Sequence, residues 1–401
     1  MNLFFGGFLN LILFIFSYFI PKNKNQIILG SFYGNGFFGN PKYFYKYLLQ
    51  NKEKHHFSKI YWITKNKEIY SNLKQRNLPV VYLYSWKGFV GILRSNFIIT
   101  SYNHKDISYA PYLPGNFKRI QTYHGLPFKG FIPHEKKGLI PRIRLYLFKR
   151  TRMSYMAFLT TSDFTKKIER NFFFKNILIL GYPRHDIFYN KGLMHDDYKT
   201  KLRLGEYKKV ILYAPTFRDK GYTKFPFHQN FLKTLNEFLH KNNFVLLISE
   251  HPLQLSKLEI NSFSNIRRVT NQVKDVNDLL IHVDVLISDY SSIVMDFVLL
   301  KKPIIFYPYD MEDFIAVRNW KENYKGKKLE NKEFDYFHMV PGPFAKNEDE
   351  FLNLIKSIDS IFNEPKYMVK FLEFRKRYHL YDDGKSCERL LNFLLKPQFC
   401  L

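Results

Sequence analysis

Cysteine is nearly absent: Cys387 and Cys400 are the only two in 401 residues. Two thiols close to the C-terminus make neither a cysteine-rich zinc site nor a disulfide framework, and a reducing compartment fits them. Acidic residues are also scarce. Thirty-five Asp and Glu face 62 Lys and Arg, a formal net charge of +27. A body this basic seeks polyanions, whether lipid headgroups, phosphate-rich substrates or nucleic acid. The chain lacks H-E-x-x-H, C-x-x-C pairs, G-x-S-x-G and G-x-x-x-x-G-K-[ST]. Zinc hydrolysis, an esterase triad and a P-loop therefore have no support. Acidic clusters with Mg²⁺ spacing are missing, so neutralising a phosphate falls to Arg, His and backbone dipoles. No metal and no cofactor is expected. RNA-module signatures are absent as well, and no nucleic-acid partner is expected.

What is present is an ordinary globular balance, 46% hydrophobic and 24% charged, in a length that suggests two to three domains at about 150 residues each. The 42 Phe and 29 Tyr accompany abundant Lys, Asn and Ile, a compositional bias that makes no case for base stacking. Residues 3–20, LFFGGFLNLILFIFSYFI, carry no charge. As a helix they span about 27 Å, just short of a hydrocarbon core of about 30 Å. The first basic residue, Lys22, follows the run and no small-residue cleavage site appears, so a cleaved signal peptide is not expected. Asn2, Gly6, Asn10 and Ser17 share one arc of the helical wheel. That stripe suits a helix lying in a membrane interface or packed on the protein's own body. A single marginal span and a buried core helix are the alternatives. On the membrane readings, Lys22, Lys24 and the basic body face an anionic leaflet.

Beyond Pro21, short apolar runs alternate with helical patterns. Strands are expected at 26–32, 60–64, 79–83, 97–101 and 119–123, then at 177–181, 210–214, 244–249, 266–270, 285–288 and 303–307. Helical patterns fall at 43–50, 164–172, 230–240 and 293–300. This alternation predicts an α/β fold with two doubly wound parallel sheets and a boundary just before residue 177. Ligands of such sheets bind beyond the carboxyl ends of strands, and a two-domain protein is expected to use the cleft between domains.

The strand ends carry the polar chemistry. The first runs into GSFYGNGFFGNP, where Gly34, Gly36 and Gly39 satisfy G-x-G-x-x-G. The second strand ends in Lys65, Asn66 and Lys67 rather than the acid a dinucleotide ribose needs, so a glycine-rich turn lining the cleft is the better reading. The fifth ends in QTYHGLPFKG, which projects His124 ahead of Gly125 and Pro127 as a candidate general base. A histidine braced inside a tight loop is the plainer alternative. Later ends present Arg184 in GYPRHDIF, Thr216 and Arg218 in ILYAPTFRD, His251 in LLISEHPLQ, and Asp289, Ser291 and Ser292 in VLISDYSSIVMDF, with Asp296 on the helix that follows. Arg and His donate to phosphate oxygens, and a helix start offers free N–H groups. Singly each residue has a structural explanation; their convergence describes a diphosphate pocket.

YHGLPFKG, GYPRHDIF, ILYAPTFRD, the EHP segment and DVNDLLIHVDVLISDYSSIVMDFVLLKKPIIFYPYDMEDF resemble the CDP-glycerol glycerophosphotransferases, the primases and polymerases of teichoic acids and related capsule polymers. GSFYGNGFFGNPKYFYKYL and PGPF at 341–344 are similar to segments of the same family, so the likeness covers about 26–363. It implies a GT-B-like fold: two Rossmann-like domains with a cleft between them, behind an N-terminal membrane-associating helix. The expected division is 1–21 helix, 22–175 acceptor-side domain and 176–401 donor-binding domain. The resemblance also implies peripheral attachment to the cytoplasmic membrane face, a CDP-glycerol or CDP-ribitol donor, and a lipid-linked polymer acceptor. It makes His124 the base and places His251 at the donor diphosphate, with Gly125, Arg184, Pro215, Thr216, Arg218, Asp289, Ser291, Ser292 and Asp296 on the donor side. Two positions depart from the family pattern: Leu126 stands where Thr is usual, removing a hydroxyl near the reacting centre, and His185 stands where Asn is usual. The rival readings are a nucleotide-sugar glycosyltransferase of the same fold and a non-enzymatic basic membrane-binding protein.

Overall fold

The computed structural model describes residues 3–109, 115–125, 139–216, 218, 226–250, 259–311 and 340–400. The chain opens with helix α1 (Leu3–Phe19). The first sheet contains β1 (Asn23–Leu29), β2 (Lys59–Thr64), β3 (Val80–Tyr82), β4 (Ser95–Thr100), β5 (Lys118–Gln121), β6 (Ala157–Thr160) and β7 (Ile177–Ile179). Its order is β3-β2-β1-β4-β5-β6-β7, with every neighbouring pair parallel. The second contains β8 (Lys209–Ala214), β9 (Phe244–Ile248), β10 (Ile266–Arg268), β11 (Val285–Ser288) and β12 (Ile304–Phe306), ordered β10-β9-β8-β11-β12 and again all parallel. Strands covered on both faces need continuous apolar runs rather than alternation. All six residues of β4 are buried, as are five of the six in β8.

The crossover helices begin where the sequence supplies a cap. They are α2 (Asn40–Gln50), α3 (Lys67–Gln75), α4 (Trp86–Arg94), α5 (Leu139–Met153) and α6 (Asp163–Glu169). The Asn66 side chain accepts the Ile69 N–H to start α3, and Ser85 accepts the Gly88 N–H to start α4. Ser162 and Thr165 form a reciprocal capping box on α6. In the second half come α7 (Tyr198–Lys201), α8 (Gln229–Lys241), α9 (Val276–Leu280) and α10 (Ile293–Phe297). Helix α8 buries Leu232, Leu235 and Leu239 in the core that holds Ile211, Leu246 and Phe351. Each such side chain contributes about 1.5–3 kcal/mol when removed from water.

The chain divides into two compact units. The expected boundary before residue 177 is corrected here: β7 pairs with β6, so the first unit runs on to Met194. Local sequence marks a strand but not which sheet accepts it. Strand β6, AFLT, is not among the expected strands, although all four of its residues are buried. The assignment of the whole C-terminus to the second unit is likewise corrected. Residues His379–Leu401 belong with the first unit and His195–Tyr378 form the second. The return is fixed by Asp186, whose buried carboxylate accepts the N–H groups of Ser386 and Cys387 at 2.9 and 2.7 Å. Cys387 is a free, fully buried thiol at that junction.

Helix α1 packs on its own unit through the polar stripe. Asn10 accepts the Tyr109 N–H, Ser17 accepts the Asn116 N–H, and Leu13 between them is fully buried. Phe8, Leu11, Ile15, Phe16, Tyr18 and Phe19 face solvent, Phe19 at 76% exposure. Among the described residues no helix is long and apolar enough to cross a membrane.

Candidate active site

The order of the first sheet reverses between β1 and β4, and open parallel sheets bind ligands beyond the carboxyl ends at such a switch point. After β1, Phe32, Tyr33 and Gly34 are all left-handed, with φ of 50°, 56° and 80°. Glycine adopts this freely; a bulky side chain does so at a cost of about 1–3 kcal/mol. One buried carboxylate holds the strain. Asp106 accepts the Tyr33 N–H at 2.7 Å with Oδ1, and the Ser101 and Tyr102 N–H groups at 2.8 Å with Oδ2. Burial raises the Asp106 pKa to about 7, against the pull of these N–H groups. The Ser31 and Ser101 hydroxyls, 2.9 Å apart, tie the same two loops.

His124 leaves β5 beside them, exposed, with its ring stacked on Tyr102 at 4.1 Å and 7°. Its Nδ1 lies 3.4 Å from the Ser101 carbonyl. A carbonyl only accepts, so this contact assigns the proton to Nδ1 and leaves the Nε2 lone pair free. Surrounding protein lowers the imidazole pKa toward 4, helped by the charges of Arg184 and Arg152 and opposed by the Ser101 carbonyl. Solvent on the open face of the ring softens this desolvation, and the imidazole is neutral at pH 7. The carbonyls ahead of it are fixed by Asn40, whose amide donates to Thr122 and Tyr123 at 2.7 and 2.9 Å while its Oδ1 accepts the Arg184 N–H at 3.1 Å. Gly39, at φ 69°, turns the chain to place Asn40 at the start of α2.

Arg184, expected on the donor side, lies in the first unit. It is buried, and its Nη1 donates to the His124 carbonyl at 2.9 Å. Gly125 is buried directly after His124, and His185 is buried against His379. His104, a second histidine of this unit, is buried with its pKa lowered to about 3, by desolvation first and then by neighbouring Arg119 and Lys105.

The second sheet reverses between β8 and β11, and there the motif residues of its strand ends assemble. Pro215 and Thr216 follow β8 half-buried, and the Thr216 N–H donates to Asp289 Oδ1 at 2.8 Å. Arg218, expected to grip the diphosphate, is instead committed to protein. Its Nε and Nη2 donate to the two Asp310 oxygens at 2.6 and 2.7 Å, Nη2 also to Asp289 at 2.8 Å, and Nη1 to the Thr216 carbonyl. Burial opposes its charge, but the Asp310 hydrogen bond and the charges of Asp289 and Asp310 more than restore it, and the pKa rises. The physical reason for the correction is the presence of two buried carboxylates against one guanidinium. Thr216 Oγ1 is buried with no hydrogen-bond partner. Ser291 and Ser292 are half-buried ahead of α10; Ser292 makes no side-chain cap, and Asp296 is buried on that helix. His251, and with it the sequence-based diphosphate contact, lies outside the described residues, as does Leu126. Asn40, Asp106 and Asp310 were missed by sequence reasoning. Asp310 was within reach of it, since YPYD closes β12 as the other motifs close their strands.

Comparison with known proteins gives the family. The family model described as CDP-glycerol:poly(glycerophosphate) glycerophosphotransferase matches residues 12–396. This chain belongs to that family. A teichoic acid glycerol-phosphate transferase of Staphylococcus aureus (strain NCTC 8325 / PS 47) is 29% identical over 389 residues, 93% of this chain and 94% of the relative. A teichoic acid poly(glycerol phosphate) polymerase of Bacillus subtilis (strain 168) is 27% identical over 402 residues, 96% of this chain but half of that protein. The solved structure of the wall teichoic acid polymerase TagF is similar in fold, with a TM-score of 0.75 at 24% identity over 98% of this chain and 92% of the other.

Proposed function

We propose that this glycerophosphotransferase moves glycerol phosphate from CDP-glycerol to a hydroxyl of a membrane-linked acceptor in teichoic-acid-type polymer synthesis, releasing CMP. The carrying observation is His124: exposed at a switch point, neutral, with Nδ1 occupied and Nε2 open. The acceptor hydroxyl gives its proton to Nε2, its oxygen forms a bond to the β-phosphorus of the donor, and the bond to the CMP oxygen breaks. Such transfer rests on positioning and electrostatic stabilisation. The orphan Thr216 hydroxyl supports a phosphate contact on the second sheet, since a buried unsatisfied donor calls for a ligand. His251 keeps its sequence-based role there. Arg218 acts through position, holding the Thr216 and Asp289 loops together. Solved TagF structures soaked with CDPG point to the same donor class.

Attachment to an anionic membrane surface is part of this reading. Helix α1 turns Asn10 and Ser17 inward with Leu13 and leaves Phe8, Leu11, Ile15, Phe16, Tyr18 and Phe19 outward, unlike a surface helix in water. Lys24 follows it, whereas the Lys22 amine donates to the Leu93 carbonyl at 2.7 Å and serves the fold instead. The test is CMP release by purified protein given CDP-glycerol or CDP-ribitol and a lipid-linked acceptor. Release with CDP-glycerol that falls about 10²–10⁴-fold in His124→Ala is expected. Near-normal turnover in a stably folded His124→Ala would overturn the base assignment.

A further inference from the structure

Asp106 is a buried acid that the mechanism leaves unused. It lies in the short turn His104–Asp106, and its carboxylate accepts three N–H groups from the loops that follow two neighbouring strands, β1 and β4. Lys65, at the end of β2, donates to the Lys105 carbonyl at 2.9 Å rather than to this carboxylate. Burying a carboxylate costs more than burying an amide or an apolar side chain of the same shape. What it supplies is acceptors: of side chains this size, only an ionised carboxylate accepts at both oxygens and donates at neither.

Two of the three N–H groups belong to the residues that touch His124. Ser101 offers its carbonyl to His124 Nδ1 at 3.4 Å, and Tyr102 stacks its ring on the imidazole at 4.1 Å. That carbonyl and the Tyr102 N–H are the two poles of one planar trans peptide, so they point in opposite directions. Asp106 Oδ2 holds the N–H pole at 2.8 Å and thereby aims the carbonyl pole at the histidine. It also takes the Ser101 N–H at 2.8 Å, which fixes the start of the same loop. We infer that Asp106 is a positioning residue for His124, acting through the Ser101–Tyr102 peptide to keep the imidazole proton on Nδ1 and the Nε2 lone pair open. This rests on the reading that His124 is the base. Orienting carboxylates of catalytic histidines commonly take the Nδ1 proton directly. Here a peptide stands between, and its hydrogen bond to the carboxylate polarises the carbonyl that faces the ring. The Ser31–Ser101 hydroxyl pair and the Gln121 amide, which donates to the Tyr102 carbonyl at 2.8 Å, hold the loop as well. Removing Asp106 therefore turns the peptide without freeing the whole loop.

The test compares Asp106→Asn and Asp106→Ala in the full-length protein carrying Tyr33→Gly. Glycine relieves the left-handed strain at position 33, so the turn no longer needs the carboxylate to hold it. Asn keeps one acceptor oxygen, enough for the Ser101 and Tyr102 N–H groups that share Oδ2; Ala keeps none. Two-bond ¹H–¹⁵N NMR reads which His124 nitrogen carries the proton without any turnover, its signals assigned by their loss in His124→Ala. CMP release from CDP-glycerol with a lipid-linked acceptor gives kcat and KM. Relative to Tyr33→Gly alone, Asp106→Ala is expected to mix the two tautomers and lower kcat about 10–100-fold at unchanged KM for CDP-glycerol. Asp106→Asn should hold the tautomer and keep kcat within a few-fold. Ile92→Ala, a core change in the same unit, should lower the melting temperature with neither effect. A folded Asp106→Ala that keeps the single tautomer overturns the inference. So do equal losses in the Asn and Ala variants, or the same tautomer change in Ile92→Ala. Should Asp106→Ala not fold, Asp106→Asn decides: mixed tautomers in that folded variant overturn the inference, and a retained tautomer with near-background kcat supports it. If the tautomer follows Asp106 but His124→Ala keeps its turnover, the base assignment falls and the positioning of the imidazole stands.

Discussion

At the scale of single residues, the structure separates groups that touch a reactant from groups that hold them in place. Sequence placed Thr216, Arg218 and Asp289 at strand ends and took Arg218 for the phosphate ligand because guanidinium forks favour phosphate. It had no means of seeing Asp310, 92 positions away, complete a buried pair. Removing one partner from such a pair leaves a buried charge exposed to no counterion. Arg218→Ala is therefore expected to destabilise the protein by about 3–5 kcal/mol in chemical denaturation, whereas Thr216→Val should weaken donor binding at nearly unchanged stability. His104 makes a different forecast. Its native pKa lies near 3, below the unfolded value of about 6.5. Above pH 6.5 both states are neutral and nothing changes. As pH falls through the window from 6.5 to 3 the unfolded chain takes the proton first, and stability drops by up to about 1.4 kcal/mol per pH unit. Asp106, with its native pKa raised, acts in the opposite sense between about 7 and its ordinary range. His104→Gln should flatten the acid limb of a plot of unfolding free energy against pH; an unchanged slope would deny His104 this part.

At the scale of elements, apolar runs were enough to locate eleven of the strands, since parallel strands buried on both faces announce themselves. They could not say that β7 joins the first sheet, because partner choice depends on where the chain has already folded. Helix α1 was legible as a polar stripe on an apolar helix, and the structure adds which way the stripe turns. That orientation separates two roles along one helix. Leu13 is fully buried, so Leu13→Ala should cost about 2–5 kcal/mol. Phe16 and Phe19 are exposed, so Phe16→Ser with Phe19→Ser should leave the melting temperature in place and weaken flotation with anionic vesicles. Equal vesicle binding by that pair would return α1 to a purely structural part. The glycine-rich turn was legible as a turn, but the left-handed aromatic pair was not, since nothing in FYG names the Asp106 carboxylate that sustains it.

At the scale of the whole molecule, the two sheets each reverse at one point, and the motif residues gather at those two places. Sequence placed these residues at the carboxyl ends of strands, where such sheets bind ligands, but it did not give the strand order that locates the two reversals. The return of the chain from His379 to the first unit was not legible, because it depends on one carboxylate meeting two N–H groups 200 and 201 positions further on. That return reaches the base. Asp186 lies in the same short helical turn, Pro183–Phe188, as Arg184, and Arg184 donates to the His124 carbonyl while its own N–H is held by Asn40. Burial raises the Asp186 pKa and the Ser386 and Cys387 N–H groups counter it, so the carboxylate is kept by the C-terminal segment. Asp186→Asn keeps the shape but puts an amide where one of those N–H groups needs an acceptor. The helix Ser386–Leu394 should then loosen, and the Arg184 turn with it. The expected outcome is a lower melting temperature together with a several-fold fall in kcat, at unchanged KM for CDP-glycerol. Because the neutral state of His124 depends on its surroundings, the acid limb of the pH–rate profile should also move up toward the ordinary imidazole value as the site opens. A variant that melts early yet keeps the wild-type kcat and acid limb would show that the C-terminal segment stabilises the unit without positioning the base.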